Sequence, residues 1–334
     1  MAERQKRLWI DGHTHLLRHR LDGGLLEYGL DDVLGVLDRS DADLRFVCSD
    51  NGTADVLRFA SEPDCLHEMN EHLFTRFIQP AQGRLLGSVQ VDPRALKQSH
   101  RDLDLYLGER GYVQVGEVEG RPHGFDLDTP EMLELVRHAA KLGAPVQLHC
   151  STNDSPTGEH MRQALHVARE VPEAQIIIAH AIGGRNTYPY ILAAETQLCG
   201  GADNLHLEIM GFNVRSFLRA AYERLGPERL IVGTDWGTYH ALPFDPYGTH
   251  IMLQSHPNWW RDAPLHGKIY WDSMLWLNAA LVLDLSETPY PCAVASFVGF
   301  LREAGVTEED IEKIGSGNAI KLFKLREKGL IQGR

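Results

Sequence analysis

Eight short apolar segments, each but the last followed by a helical pattern, recur along the 334 residues of this chain. Strands that alternate with helices pair in parallel, because each helix carries the chain back to the edge of the sheet where the strand began. Eight such units predict a closed (β/α)8 barrel, the TIM barrel fold. A doubly wound open sheet is the alternative, but no G-x-G-x-x-G motif follows the first segment. The segments are residues 9–15, 44–48, 85–91, 112–119, 145–149, 176–180, 205–210 and 230–235.

We expect residues 1–334 to form a single barrel domain, since no repeat, low-complexity stretch or linker divides the chain. After the eighth segment the alternation stops, and 236–290 form a long insertion that holds five of the six tryptophans. This insertion leaves the end of the barrel where such enzymes build their active sites. Its indole rings either wall a substrate pocket, pack the insertion's own small core, or pack the subunit interface of a homo-oligomer. C-terminal helices are predicted near 292–304 and 308–314 and from Asn318, a residue suited to cap a helix.

The helix before the fifth segment has clear boundaries. Thr129 can cap its first turn, Pro130 suits its first helical position, and Gly143 can end it. We therefore predict a helix that begins at Pro130 and ends just before Gly143.

Composition limits the classes of function. The net charge of −13 argues against a nucleic-acid-binding protein that relies on a broad basic face. The sequence contains no run of 18 apolar residues, so we predict no membrane span. The charged N-terminus leaves no room for the apolar part of a signal peptide. Five scattered cysteines without C-x-x-C spacing fit a reducing compartment. We expect a soluble cytoplasmic protein whose partner is a small molecule.

Histidines and carboxylates lie at the ends of five predicted strands. Because side chains alternate along a strand, His13 and His15 point to the same side, and Glu117 and Glu119 share a side of the fourth strand. Asp11 has the same parity as His13 but lies deeper, so we expect it to be structural. A single buried histidine is more often a hydrogen-bonded core residue than a ligand. However, the C-terminal ends of barrel strands meet at one rim, where four imidazoles and two carboxylates need a cation. This predicted metal-binding group consists of His13, His15, Glu117, His149, His180 and Asp235.

The sequence resembles the amidohydrolase superfamily, and it is most similar to the amidohydrolase-related branch of metal-dependent hydrolases with a barrel fold. The motifs that carry the resemblance follow the family's order from residue 10 to residue 323, and only 236–290 is longer than the family pattern. They are Asp11-Gly12-His13-Thr14-His15, Arg84-Leu85-Leu86-Gly87 with Val91-Asp92-Pro93, Pro145-Val146-Gln147-Leu148-His149, Ala179-His180-Ala181-Ile182-Gly183-Gly184, Gly233-Thr234-Asp235-Trp236, and Gly317-Asn318-Ala319 with Leu322-Phe323.

This resemblance implies roles for the residues at matching positions. His13 and His15 would hold the more buried metal. His149 and His180 would bind a second metal or, in members with one metal, divide between metal and substrate, and Asp235 would bind metal and move a proton. Some members carry a carboxylated lysine at the end of strand four, whereas Gly116-Glu117 resembles the Gly-Glu of the superfamily's metal-dependent nucleases, in which the glutamate bridges two metals. We therefore expect one or two ions, with two favoured.

The residue chemistry agrees with those roles. Zinc is the first expectation for mixed histidine and carboxylate ligands, with manganese and iron as alternatives. Such an ion activates water at neutral pH, and Asp235 can take its proton and pass it to a leaving group. Arg185, after Gly183-Gly184 at a predicted helix start, either binds a substrate carboxylate or phosphate or is a surface residue of a glycine-rich turn. His206 and Glu208 share a face of the seventh strand and belong either around the site or to the core.

The predicted function is a metal-dependent hydrolase that cleaves an ester, lactone, amide or phosphoester bond of a small molecule. Non-oxidative decarboxylation, which the same branch of the family performs, is the alternative enzyme reaction. A barrel that has lost catalysis and serves as a binding protein is the third possibility. The signature of such a protein would be a missing ligand, and this sequence lacks none.

Overall fold

The computed structural model describes residues 6–16, 29–49, 65–120, 124–150, 159–179, 200–209, 215–233 and 294–331. Its eight strands form one parallel sheet in which consecutive strands are neighbours. β8 returns to the side of β1, where a Cβ added at Gly12 would lie 3.1 Å from the carbonyl oxygen of Val232. The strands thus form a nearly closed barrel, which confirms the predicted fold. They are β1 (Leu8–His15), β2 (Asp43–Ser49), β3 (Leu85–Val89), β4 (Gln114–Val118), β5 (Val146–Leu148), β6 (Ile176–Ile178), β7 (Leu205–Ile209) and β8 (Leu230–Val232).

Helices surround the sheet wherever the structure describes the connections. Two of them, α2 and α3, continue into π-helical turns at Phe74–Ile78 and Leu103–Glu109, and α8 and α9 are joined by a third at Lys313–Gly317. The helices are α1 (Leu30–Arg39), α2 (Leu66–Leu73), α3 (Leu96–Asp102), α4 (Pro130–Lys141), α5 (Glu159–Glu170), α6 (Arg215–Leu225), α7 (Val294–Glu303), α8 (Glu308–Glu312) and α9 (Asn318–Leu322).

Apolar side chains pack in two layers, one outside and one inside the barrel. The larger layer lies between strands and helices and includes Trp9 and Cys150. The inner layer comes from strand residues such as Ile10 and Ile231, and from residues of α9 and just after it. Phe323, just after α9, belongs to the same inner cluster and therefore closes the N-terminal end of the barrel. The opposite end, where the strands finish, is left for polar residues.

The predicted boundaries of α4 are confirmed. The Thr129 side chain accepts a hydrogen bond from the Met132 backbone amide at 3.2 Å, and Pro130 is the first helical residue. Gly143 follows the helix with a φ of 73°, a left-handed conformation that glycine adopts without steric cost. The predicted capping role of Asn318 is wrong. Asn318 is itself helical, and its amide donates to the carbonyl oxygens of Pro227 (2.6 Å) and Leu230 (2.7 Å), tying the helix to the start of β8.

Several predictions fall on residues outside the described ranges, including the insertion 236–290 with its five tryptophans. The division into one domain with that insertion stays a prediction. Among the described residues, no helix combines the length and apolar character needed to cross a membrane.

Candidate metal centre

The end of β1 directs two histidines into the barrel. Ile10 belongs to the inner apolar layer, so strict alternation would send His13 outward. Relative to β2, however, β1 has one extra residue between Asp11 and Thr14, and this bulge reverses the alternation. His13 and His15 are consequently buried inside the barrel, each 1% exposed, while Thr14 bonds outward to β2.

β4 has a corresponding irregularity that places Glu117. The register against β5 shifts between Val115 and Val118, both of which pack in the outer layer. Between them, Gly116 has a φ of 105°, and a side chain there would overlap the carbonyl oxygen of Gln147. The Gly116–Glu117 peptide bond is cis. Only glycine fits this position, and the Glu117 side chain that follows is buried inside the barrel.

Three ligand-type atoms form a compact triangle inside the barrel. The Nε2 atoms of His13 and His15 are 2.9 Å apart, and Glu117 Oε2 lies 3.2 Å from the first and 3.6 Å from the second. Ligand atoms around a tetrahedral zinc ion are separated by about 3.3 Å, given metal–ligand bonds of about 2.0–2.1 Å. Two imidazoles and a carboxylate at these distances therefore fit a divalent metal ion.

Each histidine is held through its other ring nitrogen. His13 Nδ1 lies 2.9 Å from Glu208 Oε1 and 3.0 Å from Oε2, and His15 Nδ1 lies 3.0 Å from the Ser49 hydroxyl. Burial lowers the pKa of His13, but the charges and hydrogen bonds of Glu208 and Glu117 outweigh this effect. The net result is a pKa well above the ordinary value. The surroundings of His13 thus favour positive charge, which a bound cation also supplies.

A second group of ligand-type residues shares Glu117. Its Oε1 lies 2.7 Å from His149 Nδ1, and Glu119 offers a further carboxylate oxygen within 4.8 Å of both. His149 and Glu119 are half-buried, whereas His13, His15 and Glu117 are buried. One carboxylate therefore faces two ligand groups, one deeper and one nearer the mouth of the barrel.

The structure brings together four of the six predicted metal-binding residues, namely His13, His15, Glu117 and His149. The other two, His180 and Asp235, lie outside the described residues, as does Arg185, the predicted substrate-binding residue. In the sequence, His180 and Arg185 follow β6, and Asp235 follows β8. Their roles stay predictions.

Two residues of the centre were not assigned from the sequence. Glu208 lies on β7 with the parity of His206, and only its position near the strand's end pointed to the site. His206, two residues earlier on the same strand, is not part of the ligand groups, and its Nε2 bonds to Gln175 Oε1 at 2.7 Å. Burial, with contributions from Arg229 and Lys321, lowers the pKa of His206 to about 4. Ser49 carries a weaker signal, as a polar residue at the end of β2.

Comparison with known proteins extends these observations. A family model described as amidohydrolase matches residues 10–325. No curated protein sequence is significantly similar to the chain.

Solved structures of similar fold cover almost the whole chain. A 2,6-dihydroxybenzoate decarboxylase from Rhizobium is 16% identical with a TM-score of 0.60, covering 97% of this chain and 100% of its own. A dihydroxybenzoic acid decarboxylase from Polaromonas sp. JS666, with bound manganese and the inhibitor 2-nitroresorcinol, is 15% identical with a TM-score of 0.61, covering 99% and 100%. A probable 2-pyrone-4,6-dicarboxylic acid hydrolase from Acinetobacter baumannii, with citric acid bound, is 16% identical with a TM-score of 0.52, covering 95% and 99%. At these identities the similarity shows the fold alone.

Proposed function

The chain belongs to the amidohydrolase family, and from this membership we propose that it is a metal-dependent hydrolase of a small molecule. The bond cleaved would be an ester, lactone, amide or phosphoester. The observation that carries the proposal is the buried triangle of His13, His15 and Glu117, because its donor atoms and spacing suit a divalent cation.

The chain's residues would divide the work between binding and proton transfer. A divalent ion held here would lower the pKa of a water molecule and polarise the bond under attack. His13, His15 and Glu117 would hold this ion, with zinc or manganese as the candidates. Asp235 would complete the ligand set and carry a proton to the leaving group, and Arg185 would bind an anionic group of the substrate.

The second ligand group supports a site with two ions. Glu117 Oε2 faces His13 and His15, while Oε1 faces His149, an arrangement suited to a carboxylate that bridges two cations. His180 would join the second ion. Paired ions suit hydrolysis in particular, because they stabilise both the attacking and the leaving oxygen.

Decarboxylation of an aromatic acid is the second candidate function. Two decarboxylases share the fold, with TM-scores of 0.60 and 0.61, and one of them binds manganese. In that reaction the same residues would bind the carboxylate-bearing substrate, and Asp235 would deliver a proton to the ring carbon.

The purified metal-loaded protein should be assayed on two panels in parallel. One panel contains esters, lactones, amides and phosphoesters, and the other contains hydroxylated aromatic carboxylates with release of carbon dioxide as the readout. Turnover of the first panel alone supports hydrolysis, and turnover of the second alone replaces it with decarboxylation. Absence of tightly bound metal, with no gain in activity on adding zinc or manganese, would contradict both.

Asp235→Asn tests the proton-transfer role. We expect kcat/KM to fall by ~10²–10⁴-fold, the usual contribution of a positioned acid or base, while metal measured by elemental analysis is retained. Glu134→Gln, on the exposed surface of α4, is the control and should retain full activity. Full activity of Asp235→Asn would refute the mechanism.

A further inference from the structure

Behind the metal centre, a chain of buried hydrogen bonds crosses the barrel and ends on His13. Gln114 Nε2 donates to Gln147 Oε1 at 2.8 Å, and Gln147 Nε2 donates to Glu208 Oε2 at 2.6 Å. Glu208 then lies 2.9 Å from His13 Nδ1 through its other oxygen. All four side chains are at most 1% exposed, so water does not compete for these bonds.

The direction of each hydrogen bond in this chain is fixed. A carboxylate only accepts, so the Gln147 amide must present its NH2 group to Glu208 and its oxygen to Gln114. For the same reason, His13 Nδ1 must carry a hydrogen and donate it to Glu208. In the neutral imidazole that binds a metal, the lone pair is therefore on His13 Nε2, and this is the atom that faces His15 Nε2 and Glu117 Oε2.

The backbone leaves room for this arrangement. A side chain on Gly233, directly after β8, would overlap the Glu208 carboxylate. By contrast, the other histidine of the pair has a permissive partner, since the Ser49 hydroxyl can donate to or accept from His15 Nδ1.

We propose that Glu208 is a positioning residue that sets the tautomer and orientation of His13 for metal binding, with Gln147 holding the Glu208 carboxylate in place by a hydrogen bond. This inference rests on the proposed metal-dependent function. Glu208 touches neither substrate nor metal in this role and acts only through His13. Outer partners of ligand histidines raise ligand basicity and hold the ring in place, and losing one costs ~10–100-fold in metal affinity.

Glu208→Gln keeps the size of the side chain but removes the carboxylate that accepts from both Gln147 and His13. If the new NH2 group faces Gln147, the amides of Gln147 and Gln114 must turn over to accept it, and His13 Nδ1 then donates to a neutral oxygen in place of a carboxylate. If it faces His13, Nδ1 must accept, and the hydrogen moves to Nε2, where it blocks the ligand lone pair. We expect zinc affinity, measured by competition with a chromophoric chelator, to fall ~10–100-fold.

The double variant Glu208→Gln/Gln147→Glu restores every hydrogen bond with the carboxylate moved one residue away. The carboxylate at position 147 then accepts from Gln114 and from the amide at position 208, whose oxygen accepts from His13 Nδ1. We expect zinc affinity to recover most of the loss. Gln147→Glu alone would place two carboxylates in contact, so the pair of changes is the informative comparison.

Asp102→Asn is the matched control. Asp102 is equally buried and accepts hydrogen bonds from His67, Asn70 and Gln98, but it lies on α3, away from the ligands. Asp102→Asn should lower the melting temperature of the metal-free protein without changing its zinc affinity.

Weaker zinc binding by Glu208→Gln, recovery in the double variant and no change in Asp102→Asn support the proposal. Wild-type affinity in Glu208→Gln, or a double variant as weak as the single one, overturns the positioning role while the proposed function stands. A wild-type protein that binds no zinc or manganese overturns the proposed function and this inference with it.

Discussion

At the scale of single residues, Glu117 is unlike the buried carboxylate of Asp102. Asp102 is surrounded by hydrogen-bond donors and is satisfied by them, whereas the oxygens of Glu117 face the ring nitrogens of three histidines. A negative charge between imidazoles that are themselves potential ligands is best balanced by a cation.

Glu117→Gln should therefore remove metal rather than only slow the reaction. The amide keeps the shape but has no charge and cannot bridge two ions, so we expect metal content to fall by at least one ion per chain, with a loss of activity. Elemental analysis after dialysis measures this. Glu119→Gln is the comparison, because Glu119 belongs only to the outer ligand group and should leave the deeper ion in place. Unchanged metal content in Glu117→Gln would contradict the assignment.

His206 gives a prediction about pH that is separate from the metal centre. Its pKa is about 4 in the folded protein, against about 6.5 when unfolded, so the unfolded chain binds the extra proton first as pH falls. The free energy of unfolding is therefore highest, with respect to His206, above pH 6.5. It falls progressively between pH 6.5 and 4, by ~3 kcal/mol in total.

His206→Gln should flatten this dependence while keeping a hydrogen-bonding side chain next to Gln175. Urea unfolding at several pH values between 7 and 4.5 measures the free energy of unfolding of both proteins. Every sample contains chelator, so the ligand histidines are free of metal in both proteins. Their contribution to the pH dependence is then the same in wild type and His206→Gln and cancels when the two are compared. Parallel curves for the two proteins would show that His206 is not responsible.

At the scale of elements, the helix boundaries were predictable and the strand irregularities were not. Thr129, Pro130 and Gly143 act through local backbone chemistry, which a sequence displays directly. The bulges of β1 and β4 arise from pairing with neighbouring strands, which a sequence does not display. The shared parity of Asp11 and His13 was therefore misleading. The extra residue between them puts His13 on the side of Ile10, and Asp11 instead accepts a hydrogen bond from the His13 backbone amide at 3.2 Å.

The cap of α4 can be tested directly. Thr129→Ala removes the acceptor for the Met132 amide, and we expect the free energy of unfolding to fall by ~1 kcal/mol, as for other N-cap threonines. Thr75→Ala is the matched control, because the exposed Thr75 hydroxyl bonds to the carbonyl oxygens of Glu71 and His72 one turn earlier and does not cap a helix. Urea unfolding of the two variants should separate them, and equal stability would argue against the cap.

At the scale of the whole molecule, the alternation of strands and helices was enough to predict the barrel and the convergence of His13, His15, Glu117 and His149 at one end. The residues behind the ligands could not be predicted in the same way. Glu208 meets His13 only because β7 and β1 come together inside a nearly closed sheet, and nothing in the local sequence of β7 distinguishes a buried core glutamate from one that supports a ligand.

The same geometry makes metal binding a property of the entire fold. The ligands come from β1, β4 and the end of β5, and the unfolded chain does not hold them together, so an ion bound only by the folded state stabilises that state by mass action. At an ion concentration about one hundred times the Kd, the gain is ~2.7 kcal/mol, which corresponds to several degrees in Tm. Calorimetry of the chelated and the zinc- or manganese-loaded protein should show this shift, and His13→Ala/His15→Ala should abolish it. If the chelated and loaded proteins melted at the same temperature, the buried triangle would have to be balanced by protons alone, and its histidines would be core residues rather than ligands.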